Sequence, residues 1–239
     1  MNSIRRLELK YYFHTDDLRD IKNYLNASMI TDPNDQSEDG YKITSLYFDT
    51  IDDDDLNQKL DGIIYREKYR VRIYNDNCKS GKFEIKRKLN NCIEKISIDL
   101  FEKEIQEIIN GNYSFLDNFE NTAYVSSRMK YLSYKPKTIV SYHRKAYFLP
   151  INNIRITLDT SLCSYGFETD LFKVGGMVPV SIQKNGYQIL EIKYEDYIPE
   201  YITDFLKSKS TVRSSISKYA LSRVENNTEI FGDDPLIPH

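Results

Sequence analysis

Tyr65-Arg66-Glu67-Lys68-Tyr69-Arg70-Val71-Arg72-Ile73-Tyr74 and, eight residues on, Lys82-Phe83-Glu84-Ile85-Lys86-Arg87-Lys88 both alternate charged with apolar residues. Side chains on a strand point to opposite faces with a period of two. Arg66, Lys68, Arg70 and Arg72 therefore share one face of the first strand, and Lys82, Glu84, Lys86 and Lys88 share one face of the second. A half-buried hairpin with its charges in water would explain this pair alone. The pattern recurs, however. Leu7-Glu8-Leu9-Lys10 and Leu190-Glu191-Ile192-Lys193 repeat Phe83-Glu84-Ile85-Lys86, so three strands far apart in the chain each set a carboxylate and an ammonium two residues apart on one face. Tyr142-His143-Arg144-Lys145-Ala146-Tyr147 and Ile154-Arg155-Ile156-Thr157-Leu158-Asp159 add single cations in similar settings. Polar faces drawn from distant strands imply one shared surface, and a sheet that closes on itself would turn that surface into a lumen suited to a polyanion and a metal.

The remaining chain fits a β-rich domain with helices. A strand over 5–13 is followed by Thr15-Asp16-Asp17, an N-cap with early negative charge, which predicts a helix through about Leu25. A strand over 42–49 leads into an acidic connection, and the hairpin's third member runs over 92–98 with Lys95 in Ile93-Glu94-Lys95-Ile96. The period lengthens at Leu100, Ile105, Ile108 and Ile109, predicting helices up to Gly111 and again between Phe115 and Leu132. Strands resume over 138–148, 153–160 and 187–195, and helical signals cover 200–207 and 211–224. The expectation is an α+β fold: a closed tunnel, or barrel, of about eight antiparallel strands with helices packed outside and a C-terminal helix. The expected organisation is a single domain over 1–225 with a tail over 226–239.

Composition narrows the chemistry. The 239 residues carry a formal charge of −3, but acids crowd Asp32 to Asp39 and Asp49 to Asp61 while cations concentrate in the strands. That segregation favours an enclosed basic site over a broad nucleic-acid-binding surface. Cys78, Cys92 and Cys163 have neither disulfide-framework nor zinc spacing, and His14, His143 and His239 show no paired spacing. Gly175-Gly176 lacks the following Lys-Ser/Thr of a P-loop. No apolar stretch reaches the ~20 residues of a membrane span and the first residues do not read as a signal peptide, so a soluble, cytoplasmic chain is expected.

The Glu-x-Lys strands, with Arg70-Val71-Arg72, Arg144, Ile154-Arg155-Ile156-Thr157-Leu158-Asp159 and Ser217-Lys218-Tyr219, resemble in order and spacing the vacuolar transporter chaperone (VTC) domain of the triphosphate tunnel metalloenzymes, or CYTH-like superfamily. The resemblance runs from Leu7 to about Arg223. It implies a polyphosphate polymerase that moves the terminal phosphoryl of ATP onto a growing polyphosphate with Mn²⁺ or Mg²⁺. By the same resemblance Lys10, Arg70, Arg72, Lys86, Lys95, Arg144, Arg155, Lys193, Ser217 and Lys218 bind phosphate. Lys86, Arg70, Arg72 and Glu191 are the catalytic set. Glu191 is the metal ligand, and Glu8 and Glu84 are further candidates for metal contact. The superfamily's opening Glu-x-Glu-x-Lys has Arg6 here in place of its first Glu, a departure that favours the polymerase branch over a two-metal hydrolase. A tripolyphosphatase or nucleoside triphosphatase on the same scaffold, and a non-catalytic polyphosphate-binding module, remain the alternatives. The implied partners are ATP and polyphosphate or triphosphate, with no nucleic acid and no membrane span; a separate membrane partner is left open.

Overall fold

The computed structural model describes residues 6–35, 37–89, 92–119, 122–183 and 186–226. The alternating stretches become long strands: β1 (Leu7–His14), β3 (Tyr41–Asp49), β4 (Arg66–Tyr74), β5 (Ser80–Leu89), β6 (Cys92–Phe101), β7 (Lys135–Leu149), β8 (Ile154–Ser164) and β10 (Tyr187–Tyr194). Three short ones, β2 (Ile30–Thr31), β9 (Val180–Ser181) and β11 (Thr211–Arg213), join them in one sheet. The order is β11-β1-β10-β8-β7-β3-β4-β5-β6, with β2 added to β7 and β9 to β8. Every strand pairing is antiparallel.

The apolar face is covered by helices. α1 (Leu18–Ser28) and α5 (Glu200–Lys207) bring Ile21, Leu25, Ile202 and Leu206 against Phe13, Ile156, Leu158, Leu190 and Ile192. α3 (Glu102–Ile109) and α4 (Ala123–Tyr131) set Ile105, Ile108, Val125 and Met129 against Val71, Ile73, Phe83 and Ile85. α1, α3 and α5 are amphipathic helices whose buried stripe the 3.6-residue period supplies. Among the described residues the remaining α-helices are α2 (Asp54–Leu60) and α6 (Lys218–Asn226). α6 lies on the other, polar face, where Tyr219 stacks on Tyr47 of β3 with ring centroids 5.4 Å apart.

The expected closed barrel of about eight strands is not what forms: the sheet is an open, eleven-stranded antiparallel one. Its edges, β11 and β6, are not paired with each other. Closure needs edge strands of matching length in a fixed stagger, and here a three-residue β11 would have to seat a ten-residue β6. The far edge of β1 is meanwhile taken by β11 and by Ser214, whose backbone N–H donates to the Lys10 carbonyl at 3.0 Å.

Two further departures have local causes. The span 211–224 is not one helix, because Thr211 to Arg213 are drawn into the sheet beside Tyr11 to Phe13 before α6 begins. The acidic connection after β3 contains α2. The buried Asp49 carboxylate accepts the backbone N–H groups of Thr50, Asp55 and Leu56 at 2.8–3.0 Å and so anchors that helix's first turn from outside it. The expected tail lies outside the described residues from 227 onward.

Candidate functional site

Residues directly opposite in an antiparallel ladder share a face, so the register decides which side chains can meet. Glu8 opposes Lys193 and Lys10 opposes Glu191. Glu191 opposes Thr157, and Lys193 opposes Arg155. Across the next pairings Asp159 opposes Arg144, Ser45 opposes Arg72 and Tyr47 opposes Arg70. Arg70 opposes Glu84, Lys68 opposes Lys86, and Lys86 opposes Lys95. All the strand residues named as candidate site residues thus stand on one face of one sheet. The side-chain contacts divide them into three knots.

The first is centred on Glu84, only 2% exposed. Arg70 Nε donates to its Oε2 at 2.7 Å, Arg72 lies 3.5 Å from the same oxygen, and Lys95 pairs with Oε1. Burial alone would raise the Glu84 pKa, but Arg70, Arg72 and Lys95 hold it well below the usual carboxylate range. Arg72 is steadied further by Ser45 Oγ at 3.4 Å and the Tyr142 hydroxyl at 3.3 Å.

The second knot joins β1, β10 and β5. Lys10 Nζ lies 3.1 Å from Glu8 and 3.7 Å from Glu191 and donates to the Ile216 carbonyl at 3.1 Å. Lys193 pairs with Glu191 at 2.8 Å, and Lys86 reaches Glu8 at 3.3 Å although β1 and β5 are not neighbours in the sheet. Burial pulls the pKa of Lys10 down, yet Glu191 and Glu8 carry it above its ordinary value. Burial wins at Lys86, whose pKa is lowered despite Glu8, with Lys10 and Lys193 adding like-charge repulsion.

Asp159 makes the third. Arg144 grips it with both prongs at 2.6 and 2.7 Å, and Lys218 at the start of α6 reaches it at 2.6 Å. Against its burial, Arg144 and Lys218 hold Asp159 down to about 2.

Two expected phosphate ligands are differently employed. Arg155 shares the face by register, but its guanidinium, 45% exposed, pairs with Asp32 at 3.1 Å at the rim. The Ser217 hydroxyl accepts the Ala220 N–H at 3.3 Å, capping α6, and also receives Lys68 Nζ at 3.3 Å. Lys68 and Asp159 were not singled out from the sequence as site residues. Alternation already placed Lys68 beside Arg70, and Asp159 closed a quoted motif; what was missing was a partner, which only the register supplies.

Among the described residues no group of three or more His, Cys, Asp or Glu side chains is placed to hold a metal ion. Glu8 and Glu191 are the pair that suits Mn²⁺ or Mg²⁺. Both offer hard oxygen donors and gather on Lys10, and such ions take one or two carboxylates and complete their shell with phosphate oxygens and water. Glu8 and Glu191 are themselves paired with Lys10, Lys86 and Lys193 but stand together as two carboxylates, whereas Glu84 stands without a second carboxylate among Arg70, Arg72 and Lys95 and suits a metal less. Cys78 and Cys163 are free thiols. No described helix is long and apolar enough to cross a membrane.

No curated protein matches the chain. Among solved structures, it is similar to a putative adenylate cyclase from Bacillus halodurans at 14% identity and TM-score 0.49, covering 95% of this chain and 100% of that one. It is likewise similar to the PH1819 protein from Pyrococcus horikoshii OT3 at 13% identity and TM-score 0.48, covering 92% and 99% of the two chains. Likenesses of that strength say nothing of chemistry. The family model of the VTC domain, by contrast, matches residues 5–224, and its match supports a function related to polyphosphate or triphosphate: the chain belongs to the VTC domain family.

Proposed function

We propose that the chain is an ATP:polyphosphate phosphotransferase. The observation that carries this reading is the gathering of Lys10, Arg70, Arg72, Lys86, Lys95, Arg144, Lys193 and Lys218 on one face, where the described carboxylates paired with them are the four of Glu8, Glu84, Glu191 and Asp159. Phosphoryl transfer asks for alignment and charge neutralisation more than for covalent chemistry. A terminal oxygen of the acceptor polyphosphate forms the new bond to the γ-phosphorus, the bond from that phosphorus to the β–γ bridging oxygen breaks, and ADP departs. No side-chain nucleophile is needed.

The forks of Arg70, Arg72 and Arg144 suit paired phosphate oxygens, and their carboxylate partners fix them before substrate arrives. Lys86 and Lys10 add point charges from strands on opposite sides of the face. Glu191, with Glu8 beside it, would hold Mn²⁺ or Mg²⁺, which when bound neutralises charge on the phosphate oxygens. Incubation with ATP and Mn²⁺ tests the reading: long polyphosphate chains with ADP are expected. Free phosphate alone would turn the assignment to a hydrolase, and tight tripolyphosphate binding without turnover under any metal would leave a binding module.

A further inference from the structure

β4 carries Arg72, Arg70, Lys68 and Arg66 in one row on one face. At a strand rise of ~3.3 Å per residue the row is ~20 Å long, longer than a triphosphate. Its two ends are built differently. Arg72 and Arg70 share Glu84, whereas Lys68 and Arg66 have no described carboxylate within ion-pair distance. Two more cations stand in the same condition: Lys88, directly across from Arg66 on β5, and Lys59, in the last turn of α2. What these side chains touch is neutral. Lys59 Nζ donates to Ser215 Oγ at 3.0 Å, Lys68 to Ser217 Oγ at 3.3 Å, and Arg66 lies 3.5 Å from the carbonyls of Gln58 and Lys59 at the end of α2.

Like charges gathered with no counter-charge repel one another. Burial, followed by Arg66, holds Lys68 down to about 7, and burial with Arg66, Lys10 and Lys88 lowers Lys59. Asp55, the acid that acts on Lys68, is itself pushed up to about 7 by burial and by Asp49. The other half of the face relieves the same problem with Glu8, Glu84, Glu191 and Asp159. Repulsion left unrelieved beside a phosphate site is relieved by an anion from outside.

We propose that Lys59, Arg66, Lys68 and Lys88 seat the polyphosphate chain beyond its reacting end, so that the carboxylate-braced knots hold the triphosphate and this stripe holds phosphates further along. The inference rests on the polyphosphate reading above. The adenosine end of ATP carries no charge and gains nothing from four more cations; an extended polyanion gains from each. The Ser215 and Ser217 hydroxyls that now accept from Lys59 and Lys68 can rotate and donate to phosphate oxygens instead.

The test is calorimetry on wild type and on the double variant Lys59→Ala with Lys88→Ala, whose folding is checked by its Tm. The probes are tripolyphosphate, long-chain polyphosphate and a single-stranded oligonucleotide. The double variant is expected to bind long-chain polyphosphate about tenfold more weakly, with a shallower salt dependence. Tripolyphosphate binding should stay within about twofold, because neither lysine pairs with a carboxylate of the braced knots and its charge is screened at ordinary ionic strength. Arg66→Met gives an independent second readout with the same selectivity. Equal losses for both phosphate probes, or none for the long chain, would overturn the stripe. A stripe-dependent gain as large for the oligonucleotide would overturn its assignment to polyphosphate. Wild type that fails to bind tripolyphosphate removes the proposed function and this inference together; wild type that binds it, with no added gain for the long chain, removes this inference alone.

Discussion

Two halves of one cationic face solve the same electrostatic problem in opposite ways. Where Arg70, Arg72 and Lys95 meet, Glu84 is buried among them and fixes their geometry. Two residues along the same strand, Lys68 pairs with no described carboxylate and meets the Ser217 hydroxyl and the Tyr219 ring. Preorganisation with internal carboxylates keeps the cations charged and aimed, and tolerates a ligand only if the ligand competes with, or adds to, the acid already there. A stripe without acids is poorly aimed but has more to gain from an anion. The braced half is thus suited to holding a reacting group still, and the bare half to gripping a chain at any register.

The largest expected effect belongs to the braced half. Glu191→Gln should lower metal-dependent polyphosphate synthesis by about 100-fold or more, since losing a direct ligand exceeds the loss of an outer-shell partner. It should leave metal-free tripolyphosphate binding intact or tighter, because a negative charge has left a cationic face. Polyphosphate formation measured against Mn²⁺ concentration decides it, and synthesis at the wild-type level would remove Glu191 from the mechanism. Next comes Glu84→Gln, which turns the braced half into a bare one. Three cations then lose a buried counter-charge, and urea unfolding should report a loss of about 3 kcal/mol. An unchanged midpoint would show that solvent screens the three cations in place of Glu84.

Ligand addition follows. Tripolyphosphate at a hundred times its Kd should stabilise the fold by about 2.7 kcal/mol, while sulfate at equal ionic strength, unable to span several cations, should do less. Equal shifts in Tm would mean that the face acts as a diffuse patch. The smallest effect concerns the boundary between the halves. Asp55, with its folded pKa raised from 3.8 to about 7, binds more protons folded than unfolded across that window, so its contribution falls as pH rises from about 4 to 7. Lys68, with its folded pKa lowered from 10.5 to about 7, binds fewer protons folded, so its penalty is complete below 7 and is relieved as pH climbs toward 10. The pair should therefore carve a shallow minimum near pH 7 in the difference between wild-type stability and that of Asp55→Asn with Lys68→Met. A flat difference curve would show that neither group is perturbed.

Much of this was legible in the alternation itself. A period of two puts Arg144 and Lys145 on opposite faces, and they go to Asp159 and to Asp35 respectively. The same rule gathered Glu8, Lys10, Glu84, Lys86, Glu191 and Lys193 before any register was known. Periodicity assigns a face to each strand but is silent on what the strands do at the edges of the sheet, and the closed barrel failed there. Whether an edge pairs depends on a three-residue strand, Thr211–Arg213, too short to carry a pattern. α2 was hidden for a related reason: the acid that anchors it, Asp49, lies in the preceding strand, so a local reading sees only a run of aspartates. Arg155 followed its face correctly, but a long exposed side chain at the rim chose Asp32, a choice the strand pattern does not encode.

The pairing of β1 with β10 sets an order of events as the protein is made. Residues 7–14 leave the ribosome well before their ladder partners, residues 187–194, so at ~5–20 residues per second β1 waits about 10–40 s for its place. The hairpins of β4, β5 and β6 are contiguous in the chain and have no such wait. A growing chain therefore presents the bare stripe on β4 and β5 while Glu8 and Glu191 are still apart. The cationic stripe is therefore in place well before Glu8 and Glu191, the proposed metal-holding pair, are brought together.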